Sequence, residues 1–211
     1  MTGRITAIRV DHRDSGRLQV FLDGRPAFTA TLLEGARLAE GQTLSAVEIQ
    51  RWRRADQERQ ALAGAVGLLA RRPHSRREIE RRLRQRRFPR DVVAATLARL
   101  EERGYLDDGA FARQWVAQRM RQSPRSARAL AYELKERGVG EEDVRAALQQ
   151  ADDAALARAC LARRRRAWEG LAPEDRRRKI LTLLQGKGFS YETAREVAAD
   201  PEAAGEGRER D

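Results

Sequence analysis

Residues 75–97 read SRREIERRLRQRRFPRDVVAATL, and residues 126–148 read SARALAYELKERGVGEEDVRAAL. Aligned at an offset of 51, Ser75 falls on Ser126, and Leu83, Phe88, Val93 and Leu97 fall on Leu134, Val139, Val144 and Leu148 without a gap. A third copy fits a further 50 residues on, where Leu184, Phe189 and Ala194 take the equivalent places. Periods of this size mark stacked supersecondary units, none of which can bury its apolar face alone. Each copy reads as a helix, a short link, a second helix, a tight turn and a third helix. The turns are RQRRFPR, KERGVGE and QGKGFSY, and two of the three hold glycine where a chain reversal needs positive φ.

Upstream the pattern changes. ITAIRV alternates like a strand and is followed by a polar turn, DHRDSG, and then by LQVFL, with Leu18, Val20 and Leu22 on one face. Asp23-Gly24 is a hairpin signal, and RPAFTA reads as an edge strand beginning near a proline. A three-stranded meander is therefore predicted. Gly41 breaks the pattern, and Ser45 with Glu48 three residues on forms a capping box that opens a helix through VEIQRWRR. The expected fold is mainly α, with tandem three-helix repeats behind a small β-meander. The expected boundaries are a β segment over 1–44, a helical linker and first repeat over 45–108, a second repeat over 109–154, a third over 155–199, and a polar tail, DPEAAGEGRERD, over 200–211 that is expected to be disordered.

Composition agrees with small units. The chain is 41% hydrophobic but only 5% aromatic, which suits thin helical cores better than one thick globule. There is no run of about 18 apolar residues, so no membrane span is expected. The opening MTGRITAIRVDHRD has no apolar h-region, so no export signal is read there. A single cysteine, Cys160, cannot form an internal disulfide, which fits a reducing cytoplasm. His12 and His74 are too far apart in sequence for the usual zinc spacing, so no metal or cofactor is expected. The net charge is +11, and between Arg71 and Arg90 ten arginines stand against two glutamates. Such a concentration favours a polyanionic partner through phosphate contact and counterion release. The plain alternative is a solvated helix surface.

The segment ERGYLDDGAFARQW at 102–115 raises the question of chemistry, because two adjacent carboxylates can bind a metal or move a proton. With Asp107 as N-cap, Leu106 and Phe111 occupy the two positions of a hydrophobic staple, and Asp108 sits in the first turn facing the positive end of the helix dipole. Asp152-Asp153 repeats the arrangement, with Leu156 in the place of Phe111. The helix FARQWVAQRM supplies no further ligand or base, so the pair is read as a helix start. Phe111 and Trp115 are read as core and Tyr105 as exposed, although aromatics beside arginine can also stack on bases. Ser75 and Glu78 form another capping box, Ile79 and Leu83 mark a buried stripe, and Arg77, Arg81 and Arg84 form a ridge opposite it. Arg163 to Arg166 are consecutive and are expected to surround a helix. RRRK at 176–179 is expected to begin the next helix, where an anion would offset the clash with the dipole. The candidate partner or nucleic-acid contacts are Arg71, Arg72, Arg76, Arg77, Arg81, Arg84, Arg87, Arg121, Arg125, Arg128, Arg163, Arg165, Arg166, Arg178 and Lys187. GKG at 186–188 lacks the glycine spacing of a phosphate loop, and no nucleophile motif occurs. No catalytic, cofactor-binding or metal-binding residue is assigned.

From about Leu62 to Val197 the chain resembles the bacterial RecX family, regulators of the RecA recombinase. The features that carry the resemblance are LLARRPHSRREIERRL, LARLEERGYLDDGAFARQWV and RALAYELKERGV in that order, with ITAIRV…LQVFLDGRPAF similar to the segment before the repeats. The third copy departs most, with a longer EGLAPED link and no aromatic before its aspartates. The resemblance implies an elongated curved array of three three-helix repeats lying in the groove of the RecA–DNA filament. It further implies a regulator that is not itself an enzyme, opposing filament growth, ATP hydrolysis and strand exchange in DNA repair, recombination and the SOS response. DNA contact, to single or double strands, would be weak and nonspecific. Two other readings stay open: a direct DNA-binding protein, since the second and third helices of each repeat look like a helix-turn-helix, and a scaffold without nucleic-acid contact.

Overall fold

A computed structural model describes residues 2–11, 14–164, 168 and 170–199. The chain divides into two compact units, one of Met1–Pro73 with Ile79–Tyr105 and the other of His74–Glu78 with Leu106–Asp211. Arg165, Arg166 and the predicted tail over 200–211 lie outside the described residues.

The first unit opens with β1 (Gly3–Asp11), β2 (Asp14–Leu22) and β3 (Arg25–Thr31), joined by antiparallel pairing, with β3 at one edge. Asp23 (φ 49°) and Gly24 (φ 78°) both take positive φ, the geometry that matches a tight hairpin to strand twist. The predicted meander has a fourth member. β4 (Thr43–Leu44) pairs with Gly3 and Arg4 and completes the order β3-β2-β1-β4. Two residues are too few for alternation to show in sequence, and their pairing depends on the Gly41 turn. The helix α1 (Leu32–Gly35), held by a Thr31–Glu34 capping box, was also not expected, for the same reason of length. Ile5, Val20, Leu22, Phe28 and Leu44 form the sheet's core, closed by Ile49 and Trp52 of α2 (Ala46–Leu69). The Trp52 ring stacks on Phe28 at 5.5 Å.

The Ser45–Glu48 capping box is present, but the helix it starts runs for 24 residues rather than stopping near Arg54. Its carboxyl-terminal half serves as the first helix of the first repeat, with Ala61 and Ala65 buried. α3 (Arg76–Gln85) and α4 (Arg90–Glu102) complete that repeat and bury Ile79, Leu83, Val92, Val93, Leu97 and Leu100.

In the second unit, α5 (Asp108–Gln122), α6 (Ala127–Glu136) and α7 (Glu141–Leu148) enclose Phe111, Val116, Leu130, Leu134, Val139 and Val144. α8 (Asp153–Ala162), α9 (Pro173–Gly186) and α10 (Tyr191–Ala198) enclose Leu156, Leu161, Trp168, Ile180, Leu184, Phe189 and Val197. The positions aligned in sequence are buried in all three repeats, except that Phe88 and Leu148 are half-buried. At such sites truncation of leucine to alanine costs about 2–5 kcal/mol.

Two expectations are corrected here. α8 ends at Ala162, so Arg163 and Arg164 lie in a turn and do not surround a helix. Continuing the helix would force a guanidinium onto the face that Leu156, Leu161 and Trp168 fill. RRRK also does not begin α9. Pro173 stands at its first position with Glu174 and Asp175 in the first turn, so the dipole meets acid and the cations fall a turn later. The first turn of α9 thus presents no charge clash with the dipole for an anion to offset.

Candidate partner-binding surface

The Asp107 side chain accepts a hydrogen bond from the Ala110 amide at 2.8 Å, and Leu106 and Phe111 are buried beside it, so the N-cap and staple are both formed. Asp108 bonds outside its own helix. Its Oδ1 accepts from the backbone N–H of Arg76, the first residue of α3, at 2.8 Å. The second pair behaves alike: Asp152 accepts from the Ala154 amide at 2.9 Å, and Asp153 Oδ1 accepts from the N–H of Ala127, the first residue of α6, at 2.7 Å. One aspartate in each pair starts its own helix and the other reaches another helix start. The sequence signal was the doubling itself, since a single aspartate suffices as an N-cap.

The seams around these bonds engage several of the predicted contact residues. Ser75 Oγ accepts from the Glu78 amide at 3.2 Å and donates to the Arg137 carbonyl at 2.6 Å. Ser126 donates its N–H to the Lys187 carbonyl at 3.3 Å. Arg128 donates to the Gly188 carbonyl at 3.4 Å, Lys187 Nζ to Ser123 Oγ at 3.2 Å, and Arg163 to the Gln122 carbonyl at 2.7 Å. Arg125 faces Glu133 at 3.3 Å. The stem of Arg77 lies directly over Gly138, where an added Cβ would come within 2.1 Å of Arg77 Cδ.

Glu133 also explains Trp115. Its carboxylate accepts from Trp115 Nε1 at 3.0 Å and Arg119 Nε at 2.8 Å, while Arg137 and Arg119 lie 3.7 and 4.6 Å from the ring. Trp115 is thus a half-buried anchor, and Arg119, Glu133 and Arg137 are residues that sequence reasoning passed over. Tyr105 is 60% exposed.

The exposed part of the predicted set comprises Arg71, Arg72, Arg76, Arg77, Arg81, Arg84, Arg87, Arg121, Arg128, Arg163 and Arg178, while Arg125 and Lys187 are half-buried. Arg81 and Arg84 lie on α3 away from the buried Ile79 and Leu83. Arg72 donates to the Pro73 carbonyl at 2.8 Å. Arg84 faces Glu80 at 3.4 Å and Arg178 faces Asp175 at 2.8 Å, both as exposed pairs of the kind worth about 0–1 kcal/mol and readily exchanged for another anion. Arg164, Arg178 and Lys179 line an open cleft of about 530 Å³ beside Trp168. Exposed guanidinium groups of this kind offer forked donors to phosphate or carboxylate. Burial pushes the Cys160 thiol up, against the opposing pull of Lys187, Arg164 and Arg163, and so disfavours the reactive thiolate. Among the described residues no group of histidine, cysteine or carboxylate side chains could hold a metal ion, and no helix is long and apolar enough to cross a membrane.

Comparison with known proteins matches this arrangement repeat by repeat. Residues 61–100, 107–148 and 150–198 match the family models described as the first, second and third three-helix domains of RecX. The chain belongs to the RecX family. Regulatory protein RecX of Thermobifida fusca is 40% identical over 149 residues, covering 69% of this chain and 80% of that protein. Regulatory protein RecX of Mycobacterium avium is 37% identical over 162 residues, covering 72% of this chain and 91% of that protein. A crystal structure of regulatory protein RecX superimposes with a TM-score of 0.66 at 26% identity, covering 90% of this chain and 96% of that one. RecX relatives are regulators by name, and the fold is theirs: three three-helix domains behind a small antiparallel sheet.

Proposed function

We propose that this RecX-family chain binds the RecA–DNA filament, seated in its groove, and opposes filament growth, ATP hydrolysis and strand exchange in the cytoplasm without catalysing a reaction itself. The reading rests on family membership, and the observation that supports it within the molecule is the exposed arginine set of α3. Arg81 and Arg84 present forked donors that suit DNA phosphates or acidic protein surface. Several such contacts made to successive subunits of a polymer add avidity without any one tight site. DNA binding by the isolated chain is weak, nonspecific and salt-sensitive in this reading.

The test is RecA filament ATPase titrated with the chain, beside its binding curve on bare DNA at matched salt. Inhibition well below the concentration that coats free DNA is expected. Inhibition only at DNA saturation would replace filament docking with simple competition for DNA. Arg81→Glu with Arg84→Glu should weaken inhibition while the fold is retained. Arg77 is left out because its stem packs over Gly138, so its loss would disturb packing as well.

A further inference from the structure

The described joints share one design. Ser75, Arg76 and Arg77 in the first case, and Ser126, Ala127 and Arg128 in the second, form the start of a repeat's middle helix. Each start meets the second aspartate of the following Asp-Asp pair (Asp108 or Asp153) and the carbonyl of a cationic residue that precedes a glycine (Arg137 or Lys187). Each glycine leaves no room for a side chain. A Cβ at Gly138 would strike Arg77, and one at Gly188 would lie 2.8 Å from both Ala129 Cβ and Ser126 Oγ. Both glycines also take positive φ, 80° and 90°, so two demands fall on one residue.

We propose that Asp108 and Asp153 are joint residues: each caps the middle helix of the preceding repeat and, with the glycine of its own repeat, locks that helix start in place. An amide at the first position of a helix has no intrahelical acceptor, so a carboxylate delivered from another repeat satisfies a donor that would otherwise face water. The remaining positions of the three described repeats support the assignment, because the signature is absent where neither of these two joints is formed. The turn of the first repeat carries an exposed Arg87 at φ 63° in the place of Gly138 and Gly188. The middle helix of the last repeat begins with Pro173, which has no N–H to donate, after an N-cap residue, Ala172, that makes no side-chain cap bond. A joint formed between the first and second described repeats, and again between the second and third, accounts for these differences.

The experiment is amide hydrogen exchange on the full chain and on Asp153→Ala, Asp153→Asn and Asp152→Ala. In Asp153→Ala, exchange at Ala127 should rise roughly tenfold, the loss of one capping bond, while Leu134 and Leu184 in the cores keep their protection. Asp153→Asn retains an acceptor oxygen and should keep Ala127 close to the wild-type rate. Asp152→Ala should accelerate Ala154 and leave Ala127 unchanged. Gly188→Ala should raise exchange at Ala127 through the steric route, and if that variant does not fold, the aspartate pair still decides. An Ala127 rate unmoved by Asp153→Ala, or moved equally by Asp152→Ala, overturns the proposal.

Discussion

Asp56 offers the sharpest test of how the amino-terminal sheet is held. Its carboxylate is 7% exposed and accepts from the Thr29 backbone N–H at 2.8 Å, from the Thr29 hydroxyl and from Gln60 Nε2 at 3.0 Å. Thr29 lies on β3, an edge strand whose outward amide and carbonyl have no neighbouring strand. Asp56 takes the amide and Arg59 donates to the carbonyl, so one turn of α2 occupies both groups of an exposed edge. Replacing Asp56 with alanine leaves a buried amide without an acceptor, about 1–3 kcal/mol, and removes hydrogen bonds to a charged acceptor, each about 1.5–3 kcal/mol. Water admitted by the shorter side chain recovers part of this, so a net loss of about 3 kcal/mol is expected. With an unfolding slope of about 2 kcal/mol per molar urea, the midpoint should fall by roughly 1.5 M. Urea unfolding followed by Trp52 fluorescence, with Trp115 and Trp168 replaced by phenylalanine in every protein compared, reads this directly, because that ring stacks on Phe28 beside Thr29. Asp56→Asn keeps one acceptor and should fall between wild type and alanine. A midpoint shift in Asp56→Ala below about 0.5 M, with Thr29 still protected from hydrogen exchange, would refute the edge-locking argument.

Two further predictions concern local backbone and pH. Arg87 sits at φ 63°, a conformation that costs a non-glycine residue about 1–2 kcal/mol, whereas glycine adds back part of that through unfolded-state entropy. Arg87→Gly should therefore raise stability by roughly 0.5–1 kcal/mol in chemical denaturation, and a loss of stability would show that the Arg87 side chain contributes more than its backbone strain. Burial alone would raise the pKa of Glu34, but the hydrogen bonds from Thr31 and the charges of Arg59 and Arg37 hold the carboxyl below its usual range. A carboxyl depressed in the folded state contributes stability above its unfolded pKa of about 4.3, and that contribution is lost as pH falls through the lower folded value. The urea midpoint should thus drop on acidification from about pH 6 to about pH 3, with a shallower drop in Glu34→Gln. Equal slopes for the two proteins would remove Glu34 as a source of acid sensitivity.

Much of the architecture was legible because its signals are local or periodic. The offsets of 51 and 50 place Leu83, Leu134 and Leu184 in equivalent buried positions, and all three are fully covered. Ser45-x-x-Glu48 and Leu106-Asp107 announce helix starts through groups only a few residues apart, and those bonds form as read. Errors arose where a signal was short or masked by a stronger one. β4 is two residues long, and the start of α9 is set by Pro173, Glu174 and Asp175, whose signal is weaker in sequence than the arginine-rich stretch at 176–179 that follows it.

The candidate surface divides along the same line. That α3 turns Ile79 and Leu83 inward and leaves Arg81 and Arg84 in water follows from the helical period alone, because a 3.6-residue turn assigns each side chain to a face before any partner helix arrives. Which cations remain available to a partner does not follow from it. Arg125, Arg128, Arg163 and Lys187 look like the other cations in sequence, yet each meets an acceptor 8 to 64 residues away along the chain. The same holds for Asp108 and Asp153, whose composition and spacing describe an ordinary helix start and whose bonds to Arg76 and Ala127 exist only once another repeat is in place. Periodicity and capping are properties of a few consecutive residues and can be read from order alone. Long-range hydrogen bonds depend on where distant backbone groups come to rest, and only the packed structure brings them within reach.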